Sequence, residues 1–142
     1  MTSALVKDEI ESPIEAVWAC FANFGDLSAW APGSPRVELD GAGDRVGTVR
    51  TVHGEGQPPI CERLETYDAA KRTFSYAIVE SPFPFTDYVA TVKLTDLGRG
   101  RTAIEWSSVF EPRGLPADRT TEVIEGMYRM FIGGLKESLG RR

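Results

Sequence analysis

The chain has 142 residues, 42% of them hydrophobic, which suits one domain with a sizeable core and excludes wholesale disorder. A net charge of −5 and a sequence pI near 4.9 argue against a broad phosphate-binding face, so no nucleic-acid partner is expected. No apolar run is long enough to span a bilayer, and residues 1–8 lack the charged and greasy regions of a secretion signal. The cysteines, Cys20 and Cys61, stand far apart and in no metal-like spacing. Free thiols and a cytoplasmic protein are the expectation. Arg141 and Arg142 make a small basic tip, read as a solvated end.

In chain order, a strand is expected over residues 4–11. Ser12-Pro13-Ile14-Glu15 then looks like a helix start, with Ser12 as N-cap and Glu15 closing a capping box. Ile14, Val17, Trp18 and Phe21 give that helix one apolar stripe. Gly25 ends it, and residues 26–30 form a second short helical turn. Strands follow at 36–40, 46–53, 60–67, 72–80, 87–96 and 101–110, with short connections rich in glycine and proline. Consecutive strands so joined predict an antiparallel meander. A long helix is expected over 117–139, about 35 Å in length. Val123, Met127, Met130, Phe131 and Leu135 are read as its inward face. Gly126, Gly133 and Gly134 cost helix propensity, which suggests close approach to a sheet or a bend over one.

The residues of these elements resemble a known superfamily. Ser12-Pro13-Ile14-Glu15-Ala16-Val17-Trp18 is similar to the opening of the START and polyketide cyclase/dehydrase-like (SRPBCC) proteins. Phe24-Gly25-Asp26-Leu27-Ser28-Ala29-Trp30 resembles their next segment, and Gly47-Thr48-Val49-Arg50 their "G-x-x-R" strand. Glu62-Arg63-Leu64, Asp68 and Phe74-Ser75-Tyr76 resemble the stretch after that, and Thr102-Ala103-Ile104-Glu105-Trp106 a later strand. The resemblance covers essentially the whole chain, 1–142. It implies an α+β helix-grip fold: a curved antiparallel sheet of about seven strands wrapped around the long C-terminal helix, with two short helices after the first strand. A ligand cavity between sheet and helix is implied too, but no single chemistry.

Alternation across the strands then nominates the inward residues. A symmetric hairpin around Gly56 sets Arg50 opposite Glu62. Carried across the sheet, that gives a row Arg50, Glu62, Ile78, Tyr88, Phe110 and a neighbouring row Thr48, Leu64, Tyr76, Ala90, Ser108. Trp106 faces inward as well. Arg63, Glu65, Ser75, Thr91, Lys93 and Glu105 are the solvent set. Two charges on a core face need a reason, because unpaired buried charge is costly. Arg50 and Glu62 either form a structural cross-strand pair or orient a ligand's polar group, with Tyr76 and Tyr88 as further donors. Asp8 shares the inward face of its strand but reads as an exposed edge residue.

Connections 54–59, 81–85 and 112–116 fall at one end of the meander. Phe83, Phe85 and Leu115 either cap the core there or form the mouth of a pocket, and a mouth is favoured. Met127, Met130 and Phe131 are read as ordinary core or as the helix wall of the pocket, and Trp30 as its near side or as packing. His53 is the sole histidine and is expected at the surface. No metal and no cofactor are expected. The leading functional expectation is binding or carriage of a small hydrophobic, lipid- or polyketide-like molecule. A cofactor-free cyclase or dehydratase would instead use Glu62 as acid or base with Arg50 orienting a carbonyl. A partner-binding module of toxin-like or co-chaperone-like type is the third possibility.

Overall fold

The structure, a computed structural model, describes residues 2–140. The basic tip at Arg141 and Arg142 lies outside the described residues. Seven strands form one antiparallel sheet: β1 (Thr2–Ile10), β2 (Arg36–Asp40), β3 (Val49–His53), β4 (Ile60–Asp68), β5 (Thr73–Glu80), β6 (Phe85–Gly98) and β7 (Arg101–Pro112). Their order in space is β1-β7-β6-β5-β4-β3-β2, so β2 to β7 are a meander and β1 closes onto the last strand. Two helices complete the chain, α1 (Ile14–Phe21) and α2 (Ala117–Gly140). The sheet grips α2, and α1 packs inside the grip. No helix among the described residues is long and apolar enough to cross a membrane.

The two-residue period of the pleat sets the core. In β1, Ala4, Val6 and Ile10 are buried while Leu5 is exposed. In β7, Ile104, Trp106, Ser108 and Phe110 are buried on the same side. Asp8 sits on the edge of β1, where Lys136 Nζ of α2 meets its carboxylate at 2.9 Å. Burial, the largest single influence, raises the Asp8 pKa, but the Lys136 hydrogen bond, the Glu9 N–H and the Lys136 charge together outweigh it and hold the carboxyl below its usual range. Further along that edge, Leu5 N–H donates to Glu125 of α2 at 3.0 Å. The helix thereby occupies backbone and side-chain groups that an open edge strand would offer to another chain.

Helix α1 buries Ile14, Val17, Trp18 and Phe21, the expected stripe. Its cap differs from the expectation. Pro13, at ψ 151°, is the N-cap residue, and no side chain caps the helix. The Ser12 carbonyl instead accepts from Thr102 Oγ1 at 2.7 Å, which ties this corner to β7 and delays the first helical turn. Residues 27–31 make one turn, closed by Ala31 N–H on the Leu27 carbonyl at 2.8 Å.

The inward face of α2 is not the one expected. Thr120, Ile124, Tyr128, Ile132, Leu135 and Leu139 are buried. Val123 is 40% and Met130 53% exposed, so only Leu135 of the expected stripe is fully inside, with Met127 and Phe131 half-buried beside it. The true stripe begins on Thr120 and includes Ser138 near its end, and both hydroxyls are satisfied by backbone carbonyls. Thr120 Oγ1 donates to the Pro116 carbonyl and Ser138 Oγ to the Ala29 carbonyl. The glycines also act differently from the expectation. A Cβ at Gly134 would stand 2.5 Å from the Trp30 carbonyl oxygen, so the close approach is to the 30–32 segment rather than to the sheet. A Cβ at Gly126 or Gly133 would meet open space. Gly134→Ala is therefore expected to destabilise by about 1–3 kcal/mol through overpacking against backbone. Gly133→Ala, one residue away, is expected to stabilise by up to about 1 kcal/mol through helix propensity. Urea midpoints of the two variants check the contrast, and equal shifts would refute it.

Candidate ligand-binding site

Register decides which side chains meet. Arg50 pairs with Glu62 and Val52 with Ile60 across β3 and β4, as a symmetric hairpin requires. Glu62 pairs with Ile78, Leu64 with Tyr76, Tyr76 with Ala90, and Ala90 with Ser108. Irregularities at Cys61/Glu62 and Leu64/Thr66 do not turn these residues over. Ser75, expected in solvent, is buried and shares a 2.6 Å hydrogen bond with Thr66, its cross-strand partner.

The Arg50–Glu62 pair lies inside the grip near its rim. Arg50 Nε donates to Glu62 Oε1 at 2.7 Å, with side chains 9% and 12% exposed. Arg50 Nη1 donates to the Phe24 carbonyl at 2.7 Å. The guanidinium also lies over the Phe24 ring at 3.8 Å and faces the Tyr76 ring at 5.2 Å. Phe24 thus holds the arginine by both its carbonyl and its ring.

Behind this pair stands a buried group of hydroxyls. Trp106 Nε1 donates to the Tyr76 hydroxyl at 3.2 Å. The Tyr88 hydroxyl is within reach of Tyr76 and is hydrogen-bonded to the Tyr128 hydroxyl. Ser108 lies close enough to Tyr128 to act on its hydroxyl, yet Ser108 Oγ makes no well-formed hydrogen bond. All three tyrosines resist ionisation, first because burial disfavours the phenolate. The Glu62 carboxylate pushes Tyr76 up further, the other two hydroxyls push Tyr88 up, and Glu62 does the same at Tyr128 against the nearby Ser108 hydroxyl and the hydrogen bond with Tyr88. They are therefore neutral hydrogen-bonding groups across the physiological range.

Aromatic rings enclose these polar atoms. Trp106 stacks on Tyr128 at 5.3 Å and meets Phe131 at 5.4 Å. Phe85 packs on Tyr88 at 5.2 Å and on Phe110 at 5.9 Å, and stacks on the half-buried Phe83 at 5.4 Å. Ile78 is half-buried beside Tyr88's side of the sheet. Arg113 N–H donates to the Pro84 carbonyl at 2.8 Å, so the 81–84 and 112–116 connections meet at this end. Trp30 is buried and structural. Its Nε1 donates to the Cys20 carbonyl at 3.0 Å, and its ring meets Phe21 and Trp106. Met130 lies away from the hydroxyls, in a surface groove of about 530 Å³ between α2 and the 28–34 segment. His53 sits at the sheet's far side, 2.7 Å from the Glu38 carboxylate.

The nominated residues Arg50, Glu62, Tyr76, Tyr88, Trp106 and Phe110 thus come together with Phe83 and Phe85. Met130 does not join them, and Trp30 touches them through Trp106. The sequence reading missed Tyr128 and Phe24. The first was visible as the run Ile124, Tyr128, Ile132 at four-residue spacing. The second carries no periodic signal, because it lies in a turn.

A family model described as polyketide cyclase / dehydrase and lipid transport matches residues 1–140. Among solved structures, a Bacillus thuringiensis protein is similar at 25% identity and a TM-score of 0.86, over 96% of this chain and 97% of that one. The protein XoxI of Bacillus cereus is similar at 27% identity and a TM-score of 0.87, over 97% and 95%. Norcoclaurine synthase of Thalictrum flavum, solved with dopamine and hydroxybenzaldehyde, shares the fold at 15% identity and a TM-score of 0.74, over 99% and 87%. With a seven-stranded sheet closed around its last helix, the chain belongs to the polyketide cyclase / dehydrase and lipid transport family and has its helix-grip fold.

Proposed function

We propose that the protein binds a small, largely apolar molecule between the sheet and α2, and holds it by one hydrogen-bond-accepting group such as a carbonyl. The observation that carries this reading is the buried hydroxyl chain from Trp106 Nε1 through Tyr76, Tyr88 and Tyr128 to Ser108. A core built only for stability has little use for four hydroxyls, since each buried polar group needs a partner to offset its lost hydration. The Ser108 hydroxyl lacks one. A donor left over at the end of a neutral chain matches an acceptor on a ligand, and the surrounding rings match an apolar, ring-bearing body. The rings also occupy the interior, so binding displaces some of them. Phe83, half-buried on the 81–84 connection, is the ring outside any strand, and it stacks on Phe85 at the start of β6.

Tyr128→Phe removes one member of the chain without changing its shape much. For a ligand held by the hydroxyls, Kd is expected to rise about tenfold, the worth of one hydrogen bond in a dry site. Isothermal titration against a panel of aromatic ketones and their hydrocarbon counterparts, in which CH2 replaces the carbonyl, checks this. Equal binding of ketone and hydrocarbon, or equal binding by Tyr128→Phe, would sink the hydroxyl chain as the recognition element.

An acid–base enzyme is a second reading, and one observation favours it. The Glu62 carboxylate is fixed by Arg50 within electrostatic reach of both Tyr76 and Tyr128. A base, a cation and neutral donors around one space are the parts an enolising catalyst needs. Loss of turnover in Glu62→Gln with ligand affinity kept would mark this reading as correct.

A further inference from the structure

The sheet is open in one place. The β5–β6 ladder runs from Thr73–Lys93 to Ala77–Val89 and ends there. Beyond it, β5 stays with β4, where Ile78 pairs with Glu62 and Glu80 with Cys61. Strand β6 stays with β7, where Thr86 pairs with Glu111 and Phe85 with Pro112. The positions that would have paired Ile78 with Tyr88 and Val79 with Asp87 are not formed. A register shift between Thr86 and Val89, with Asp87 in the left-handed region at φ 54°, carries β6 away from its neighbour.

A groove of about 720 Å³ occupies the split. Its lining is informative. Consecutive residues 77–81 border one side and 85–89 the other. In an unbroken sheet only alternate residues face a given side. Here Val79 and Val89, which are exposed on the outer face, share a groove with Ile78, Phe85 and Tyr88, which face inward. The groove therefore lies over the break in the sheet, bordered by residues of both faces, with Phe85 and Tyr88 closing its inner side. Its floor is the same Tyr88 whose hydroxyl meets Tyr128 inside the grip.

We infer that the slot between β5 and β6 is the passage by which the ligand reaches the interior, from the outer face of the sheet rather than between the loops and α2. The inference rests on the binding reading above. The occupant it commits to is that ligand in transit, because the slot's inner wall is the outer wall of the binding site. Ile78, Val79, Phe85 and Val89 give the passage an apolar strip, and Arg63, Glu65, Glu80 and Asp87 also border it. The unmade ladder leaves backbone donors and acceptors along it, which suit one polar group on an otherwise apolar molecule. Opening requires the 81–84 connection to swing while Phe85 and Thr86 keep their pairing with β7, and no β5–β6 pair has to break beyond Ala77–Val89.

A passage and a binding site are told apart by kinetics. A residue that narrows a passage slows arrival and departure alike and leaves Kd unchanged, whereas a residue of the site changes Kd. Val79→Trp and Val89→Trp each place a large side chain over the slot from outside. Leu5→Trp makes the same change on the outer face of β1 and serves as the control, and Leu115→Trp obstructs the loop end. Stopped-flow fluorescence with anilinonaphthalene sulfonate, with circular dichroism to verify folding, reads both rates. The expected result is that association and dissociation fall together by roughly tenfold in the two slot variants at constant Kd, with Leu5→Trp and Leu115→Trp at wild-type rates. Wild-type rates in both slot variants, or slowing confined to Leu115→Trp, would overturn the passage while leaving the binding reading intact. A changed Kd in the slot variants would make the slot part of the site and refute its role as a passage. No probe binding by the wild-type protein would overturn the binding reading itself and the passage with it.

Discussion

Replacing Arg50 with methionine is expected to cost about 3–5 kcal/mol of folding stability, a large share of what a chain of this size possesses. The reason is the company Glu62 keeps. Its carboxylate is nearly buried, and the Arg50 guanidinium is the cation bonded to it at 2.7 Å. Methionine fills similar volume but leaves that charge in a poorly solvated place. The same change also strands the Phe24 carbonyl, which accepts from Arg50 Nη1. The double variant Arg50→Met/Glu62→Leu is expected to recover most of the loss, because two well-packed apolar side chains replace a desolvated ion pair at little net cost. Urea denaturation of the two singles and the double gives the coupling energy directly. A loss under about 1 kcal/mol in Arg50→Met would mean that the pair behaves as a solvent-exposed bridge, and the site would lose its fixed cation.

This pair was legible in the sequence for a simple physical reason. The pleat has a period of two, and the 54–59 connection is short, so the register of β3 on β4 follows from counting. The same counting carried Tyr76 to Ala90 and on to Ser108. It also placed Tyr88 on the inward face, though the ladder that would have linked it to Ile78 is missing. A break between strands leaves no trace in alternation when both flanks keep their own neighbours. Only Asp87, a non-glycine residue in the left-handed region, marks the place, and backbone dihedrals are not visible in sequence.

The helix was harder. Two stripes compete on α2: Val123, Met127, Met130, Phe131 and Leu135 on one side, and Ile124, Tyr128, Ile132, Leu135 and Leu139 on the next, with Leu135 common to both. The two faces are about one residue, or roughly 100°, apart. The winning face is fixed by partners outside the helix. Trp106 stacks on Tyr128, the Tyr88 hydroxyl meets it, and Gly134 presses on the Trp30 carbonyl. A helix read alone gives no access to those contacts. Tyr128 is wholly buried, with the Tyr88 hydroxyl as partner for its own.

Those hydroxyls should govern the protein's behaviour in alkali. The pKa of Tyr76, Tyr88 and Tyr128 is raised above the ordinary value of 10.0, in each case first by burial. In the unfolded chain each phenol ionises near the ordinary value, while in the folded chain each keeps its proton well beyond it. Below about pH 10 both states are protonated, so the tyrosines' contribution to stability is fully present. As pH rises above 10 the unfolded state sheds protons that the folded state still holds, and stability falls. Each such group contributes about 1.4 kcal/mol per pH unit, so three together give about 4 kcal/mol per unit. A fold of ordinary stability is then lost within about 1–4 units above pH 10. Urea midpoints measured across that range, followed by tyrosinate absorbance, read both events. Unfolding and ionisation are expected to coincide. Tyr128→Phe should reduce the slope by about one third, which separates the tyrosines from lysines that titrate nearby. Smooth ionisation of all the tyrosines with the sheet intact would place the three hydroxyls in contact with water, and an interior wet in that way would not select a ligand by its one acceptor group.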